Sequence, residues 1–189
     1  MFSNQINMKP QNDFFFKLWK VLAWIIFLGL CVETGGFVFN TAFTLFINPA
    51  GASNFWSGLD LSALYQHSES KYVMITVMMC IISCLKAIMF YQVVSLFYKK
   101  KMDWNRPFND TLGRTIQLIA WIAIGIAFYG MWGEAMVRKM LASGLQIPSI
   151  EELKFGGNTV WLFMGVTLLI LASIFKKGVE LQNENDLTV

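Results

Sequence analysis

Residues Tyr72 to Tyr98 read YVMITVMMCIISCLKAIMFYQVVSLFY, twenty-seven positions with one charge, Lys86. A helix needs about 20 mostly apolar residues to cross the hydrocarbon of a bilayer. This run exceeds that length and is far too long for a buried strand. It therefore reads as a spanning helix, and it sets the scale for the rest of the chain. Three further runs qualify: about 21–39, extending toward Phe46 with Glu33 as its charge, about 115–133 ending at Glu134, and about 159–175. Composition agrees. Of 189 residues, 56% are hydrophobic and 14% charged, whereas a soluble domain carries about 25% charged residues. A soluble enzyme and a disordered chain are both excluded.

The fold class is thus an all-α polytopic membrane protein with four transmembrane helices in one antiparallel bundle, a single domain over 1–189 whose last part, 176–189, is a polar cytoplasmic tail. The first twenty residues are mixed and polar, and no small-x-small site follows the first apolar run, so that run reads as a retained span rather than a signal peptide. Orientation follows the Lys/Arg distribution. Lys9, Lys17, Lys20, Lys99, Lys100, Lys101, Arg106, Arg114, Lys176 and Lys177 lie on one side, and Lys71, Arg138, Lys139 and Lys154 on the other. This predicts cytoplasmic N and C termini and a multi-pass protein of a bacterial inner membrane.

The connections differ in kind. The first outer segment carries the turn residues Asn48-Pro49-Ala50-Gly51. Asp60 then caps a predicted short helix through Gln66, whose apolar side is expected on the lipid headgroups. The inner loop is basic through Lys99, Lys100, Lys101 and Arg106, which suit anionic lipid. Pro107 disfavours helix before it, and Asn109 or Asp110 is placed to cap the third span.

Charges inside the membrane mark candidate sites. Glu33 lies thirteen residues from Lys20, and Lys86 thirteen from Lys99. Antiparallel spans put both about 20 Å from the same interface, which predicts an intramembrane charge pair in direct contact. On that reading Lys86→Met strands Glu33 and lowers the amount of folded protein. Glu134 is expected at the outer interface, paired with Arg138 four residues on. A sharper arrangement gathers Glu33, Glu134 and His67 in an outward pocket. The three cysteines, Cys31, Cys80 and Cys84, sit in apolar runs and read as packing. No metal site, cofactor site or catalytic residue emerges: the single histidine is His67, and nucleophile elbow, zincin, P-loop and dinucleotide patterns do not occur.

The end of the chain, Phe175-Lys-Lys-Gly-Val-Glu-Leu-Gln-Asn-Glu-Asn-Asp-Leu-Thr-Val189, is its most specific feature. With Pro107-Phe108-Asn109 and Cys31-Val-Glu-Thr-Gly-Gly36, it resembles the bacterial membrane-protein family catalogued as domain of unknown function 2975, over about Lys17 to Val189. The resemblance implies a four-span inner-membrane protein, often encoded beside a small Cro-like helix-turn-helix regulator, and it implies no reaction. Two functions are compatible with this. In the first, the chain is not an enzyme. It anchors or signals to a small DNA-binding regulator, without touching nucleic acid itself. The docking surface combines the basic loop with the tail residues Glu180, Gln182, Glu184, Asn185 and Asp186. In the second it is a small transporter or ion-responsive protein built around Glu33 and Lys86. Four short spans without an inverted repeat would then require a homodimer.

Overall fold

The computed structural model describes residues 13–98 and 110–187. Among them every regular element is helical: α1 Asp13–Phe46, a short 3-10 helix Pro49–Asn54, α2 Ser62–His67, α3 Glu69–Tyr98, α4 Asp110–Ala142 and α5 Asn158–Leu187. Four helices are long and apolar enough to cross a membrane, over Lys17–Phe46, Glu69–Phe97, Asp110–Ala142 and Asn158–Glu184. Even the shortest of these spans about 40 Å, more than the roughly 30 Å of bilayer hydrocarbon, so each helix projects beyond it.

Two helix ends therefore differ from the sequence expectation: Glu134 does not end α4, and α5 runs on past 175, whereas α1 continues through Gly35-Gly36 to Phe46. Glycine inside a helix costs about 1 kcal/mol relative to alanine, and Gly36 has a clear reason to bear it. A Cβ there would occupy the space of the Trp56 ring. The bare backbone lets the chain that leaves α1 fold back against it.

The long helices pack in chain order, α1 on α3, α3 on α4 and α4 on α5, and among the described residues no close backbone approach joins α1 to α5. Register follows from contacts at several levels. Thr41 meets Cys80 at 3.9 Å between hydroxyl and thiol, and Phe27 meets Tyr91 with ring centroids 6.0 Å apart. Gly130 faces Asn158 and Gly113 faces Phe175 across the α4–α5 seam. These pairs are antiparallel. They also bring Arg114 and Lys176 to one end, here called the lysine end.

At the other end, both long connections fold back into the helices as a cap. Asn48 Oδ1 accepts from the Ala50 N–H at 3.0 Å, and Leu61 N–H bonds Ala52 O at 2.7 Å. Phe55, Leu61, Leu64, Tyr72, Leu153 and Phe155 are fully buried there. Phe37 stacks on Phe55 at 6.0 Å, and Phe55 meets Tyr72 edge-on at 6.2 Å. The apolar side of α2 therefore does not lie on headgroups. Leu64 packs into this core, because the cap has aromatic surface of its own to cover. The apolar residues that stay exposed, such as Trp19, Ile25 and Val32 on α1 and Phe163, Val166 and Ile170 on α5, form the lipid-facing belt.

Asp60 accepts from the Ser62 N–H at 2.8 Å in the turn before α2, but the N-cap position is Leu61, which makes no side-chain capping bond, so Asp60 is not the cap that the sequence suggested. The side-chain and backbone hydrogen bonds of Ser62 hold its carboxyl below the usual range. A depressed carboxylate stabilises the fold above its unfolded pKa, and that contribution is lost as pH falls through the folded value. Asp60→Ala is expected to cost about 0.5 kcal/mol at neutral pH, the low end for one hydrogen bond because the group is exposed. The difference between variant and parent should shrink as pH falls below the ordinary carboxylate range, as measured by unfolding of the purified protein in detergent.

Candidate functional site

The α1–α3 register brings Glu33 and Lys86 to one level, between the Thr41–Cys80 contact on the cap side and the Phe27–Tyr91 contact on the lysine side. Their side chains are engaged elsewhere. Among the described residues no ion pair of 4.0 Å or less joins them. Glu33 Oε1 lies 3.9 Å from Lys154 Nζ. Lys86 Nζ lies over the Trp161 ring, 5.7 Å from its centroid, and Glu33 and Lys154 are the charges near enough to act on it through space. The expected pair is thus part of a four-residue cluster drawn from α1, α3, the second cap segment and α5. It holds two cations and one carboxylate.

Lys154 and Trp161 are the members that sequence reasoning did not single out. Lys154 is carried by the turn from Ser149 to Phe155. There the Ser149 N–H donates to Glu152 Oε2 at 2.7 Å, and Lys154 N–H bonds Glu151 O at 3.0 Å. The Ser149 bonds also keep the exposed Glu152 carboxyl below its ordinary range. Lys154 itself has φ 63°, a left-handed conformation uncommon outside glycine. Buried Leu153 and Phe155 on either side hold it. The following Gly156-Gly157 marks a turn in the sequence, but no local signal shows that the turn returns to the level of Glu33. A cavity of about 220 Å³ lined by Phe37, Trp56, Ser57, Glu152 and Lys154 opens beside it.

Glu134 makes a separate contact. Its carboxylate accepts from Arg138 Nε at 3.0 Å and from Asn158 Nδ2 at 2.8 Å. Asn158 is 6% exposed, and its Nδ2 also donates to Phe155 O at 2.7 Å. The side chain sits where Gly130 has no Cβ. Glu134 therefore clips the first turn of α5 to α4. Glu33, Glu134 and His67 are not gathered into one pocket: His67 Nε2 meets Lys71 Nζ at 3.1 Å on the exposed surface. Among the described residues no group of three His, Cys, Asp or Glu side chains is placed to hold a metal. Cys31, Cys80 and Cys84 are free thiols. Lys99, Lys100, Lys101 and Arg106 lie outside the described residues. Glu180, Gln182, Glu184, Asn185 and Asp186 fall within α5, so the polar tail continues a helix through Leu187.

Four apolar helices, an aromatic cap and interior charges define an all-helical, multi-pass membrane protein. The family described as Protein of unknown function (DUF2975) matches residues 56–189, and the chain belongs to that bacterial inner-membrane family. The matched stretch contains Lys86, Glu134, Lys154, Asn158, Trp161 and the C-terminal helix, and it begins after α1. Glu33 and the Cys31–Gly36 motif thus lie outside it. Neither a curated protein nor a solved structure matches the chain.

Proposed function

We propose that the chain is a non-catalytic membrane signalling protein, without a cofactor, that holds a small cytoplasmic helix-turn-helix regulator at its C-terminal helix. The observation that carries this reading is the continuity of α5. One unbroken helix runs from Asn158 and Trp161, beside the charge cluster, to Glu180 and Glu184 beyond the lysine end. A displacement at the cluster would reach the acidic end as a rigid-body movement, with no hinge to absorb it. The Lys/Arg distribution supports cytoplasmic termini and a cap on the opposite side of the membrane. A regulator is basic where it meets phosphate, and Glu180 and Glu184, one turn apart, offer it complementary charge. The basic segment after α3 shares that side by the same distribution.

A second reading, an ion-responsive protein or small transporter, is favoured by one observation: Lys86 is held in the bundle without a carboxylate at ion-pairing distance. Deleting Val179 to Val189 separates the two. The spans and their flanking lysines are untouched, so membrane insertion is expected to survive while transcription from the protein's own operon changes. Unaltered transcription, with no cytoplasmic protein retained by the intact chain and lost by the truncated one, would rule out the regulator reading.

A further inference from the structure

The seam between α4 and α5 opens at the lysine end into a cavity of about 520 Å³. One face of α4 supplies Asp110, Gly113, Arg114 and Gln117, and one face of α5 supplies Leu169, Ala172, Ser173 and Lys176. The spacing on each helix is i, i+3, i+4, i+7, so each set forms a single stripe. Gly113 and Ala172 hollow the seam: a Cβ on Gly113 would meet only Phe175 Cβ, at 3.8 Å. The chemistry is graded along the cavity. Arg114 and Lys176 stand at the end where the helix leaves the membrane, Gln117 and Ser173 lie one turn further in, and Leu169 continues into the apolar belt. Neither Arg114 nor Lys176 makes an ion pair with a described residue. Asp110 is the opposing charge, leaving the lining with an excess of one cation.

From this gradient we infer that the α4–α5 seam is a binding site for one anionic phospholipid. Its phosphate lies between Arg114 and Lys176, its glycerol esters lie against Gln117 and Ser173, and an acyl chain follows Leu169. A zwitterionic lipid brings its own cation toward Arg114 and Lys176 and is disfavoured. A free anion would satisfy the two cations but leave the apolar floor of the seam uncovered. The site is independent of the regulator reading, since it concerns lipid at the membrane face of the seam.

The test is native mass spectrometry of the full chain in detergent, with phosphatidylglycerol or phosphatidylethanolamine added at equal concentration. Phosphatidylglycerol is expected to be retained roughly tenfold more strongly, from two basic contacts at the membrane face. Arg114→Gln with Lys176→Gln should abolish that preference. Gly113→Leu should reduce retention by filling the hollow while keeping both charges. Helix content from circular dichroism establishes that each variant is folded, and inorganic phosphate at millimolar concentration should not displace the lipid. Equal retention of the two lipids, an unchanged preference in the folded double variant, or displacement by phosphate would each overturn the assignment.

Discussion

Lys86→Met is expected to stabilise the protein against unfolding in detergent micelles by about 1–2 kcal/mol. A lysine at the centre of a spanning helix costs about 2.5–3.5 kcal/mol on insertion scales. Its stem reaches only about 6 Å, so it does not escape to either interface from a position about 20 Å from the lysine end. The Trp161 ring returns part of that cost, about 0.5–1 kcal/mol for an aromatic face, and the field of Glu33 returns some more. Removing Lys86 leaves Glu33 with Lys154, 3.9 Å away, so no carboxylate is stranded. Glu33→Gln should act in the opposite direction, because it leaves Lys86 and Lys154 without a nearby negative charge. Its cost should shrink in the Lys86→Met background, a coupling that a double-mutant cycle measures. Direct pairing, as the equal spacing from Lys20 and Lys99 suggested, implies the reverse: Lys86→Met would lose about 3–5 kcal/mol. A fall in stability would therefore remove the unpaired-lysine description of the cluster.

The second large effect is steric. Gly165 sits at a close α4–α5 contact: a Cβ there would lie 2.6 Å from Ile124 Cγ1, 3.0 Å from Ala120 O and 3.2 Å from Ile124 N. Two of those neighbours are backbone atoms that cannot rotate away. Ala120, Ala123 and Ala127 are fully buried on α4, a small-residue face of the kind that lets membrane helices touch. Gly165→Ala is expected to cost about 1–3 kcal/mol and Gly165→Leu more, with loss of the monodisperse folded fraction in size-exclusion chromatography. Gly29 is the control, since nothing lies within 4 Å of a Cβ built there. Gly29→Leu should be tolerated. Equal behaviour of the two leucine variants would contradict the close α4–α5 packing.

The parts of this architecture that depend on composition over a whole turn or more are legible in the sequence. Four apolar runs give four helices, and equal spacing from Lys20 and Lys99 puts Glu33 and Lys86 at one level. Helix ends were harder to read for a physical reason. Gly36 counts against a helix on propensity alone, and the Trp56 ring that fills the space beside it comes from a segment twenty residues on. Likewise, polar residues after Lys177 show that the chain has left the apolar layer, not that its helix has stopped. The cluster was half legible. Charged residues in apolar runs flagged Glu33 and Lys86, but Lys154 belongs to a loop whose return depth is set by Phe155 packing against Gly133 and Asn158 against Gly130. Such long-range fits leave no periodic trace.

The proposed function requires α5 to carry its acidic end into the cytoplasm and meet a basic partner there. A photo-crosslinking residue at Glu180, on the exposed face of that helix, tests this in living cells. Irradiation is expected to yield one major adduct with a small, basic DNA-binding protein, absent when the same probe replaces Ser57 in the cap. A failure to form any adduct at Glu180, or the same adduct from both positions, would contradict it.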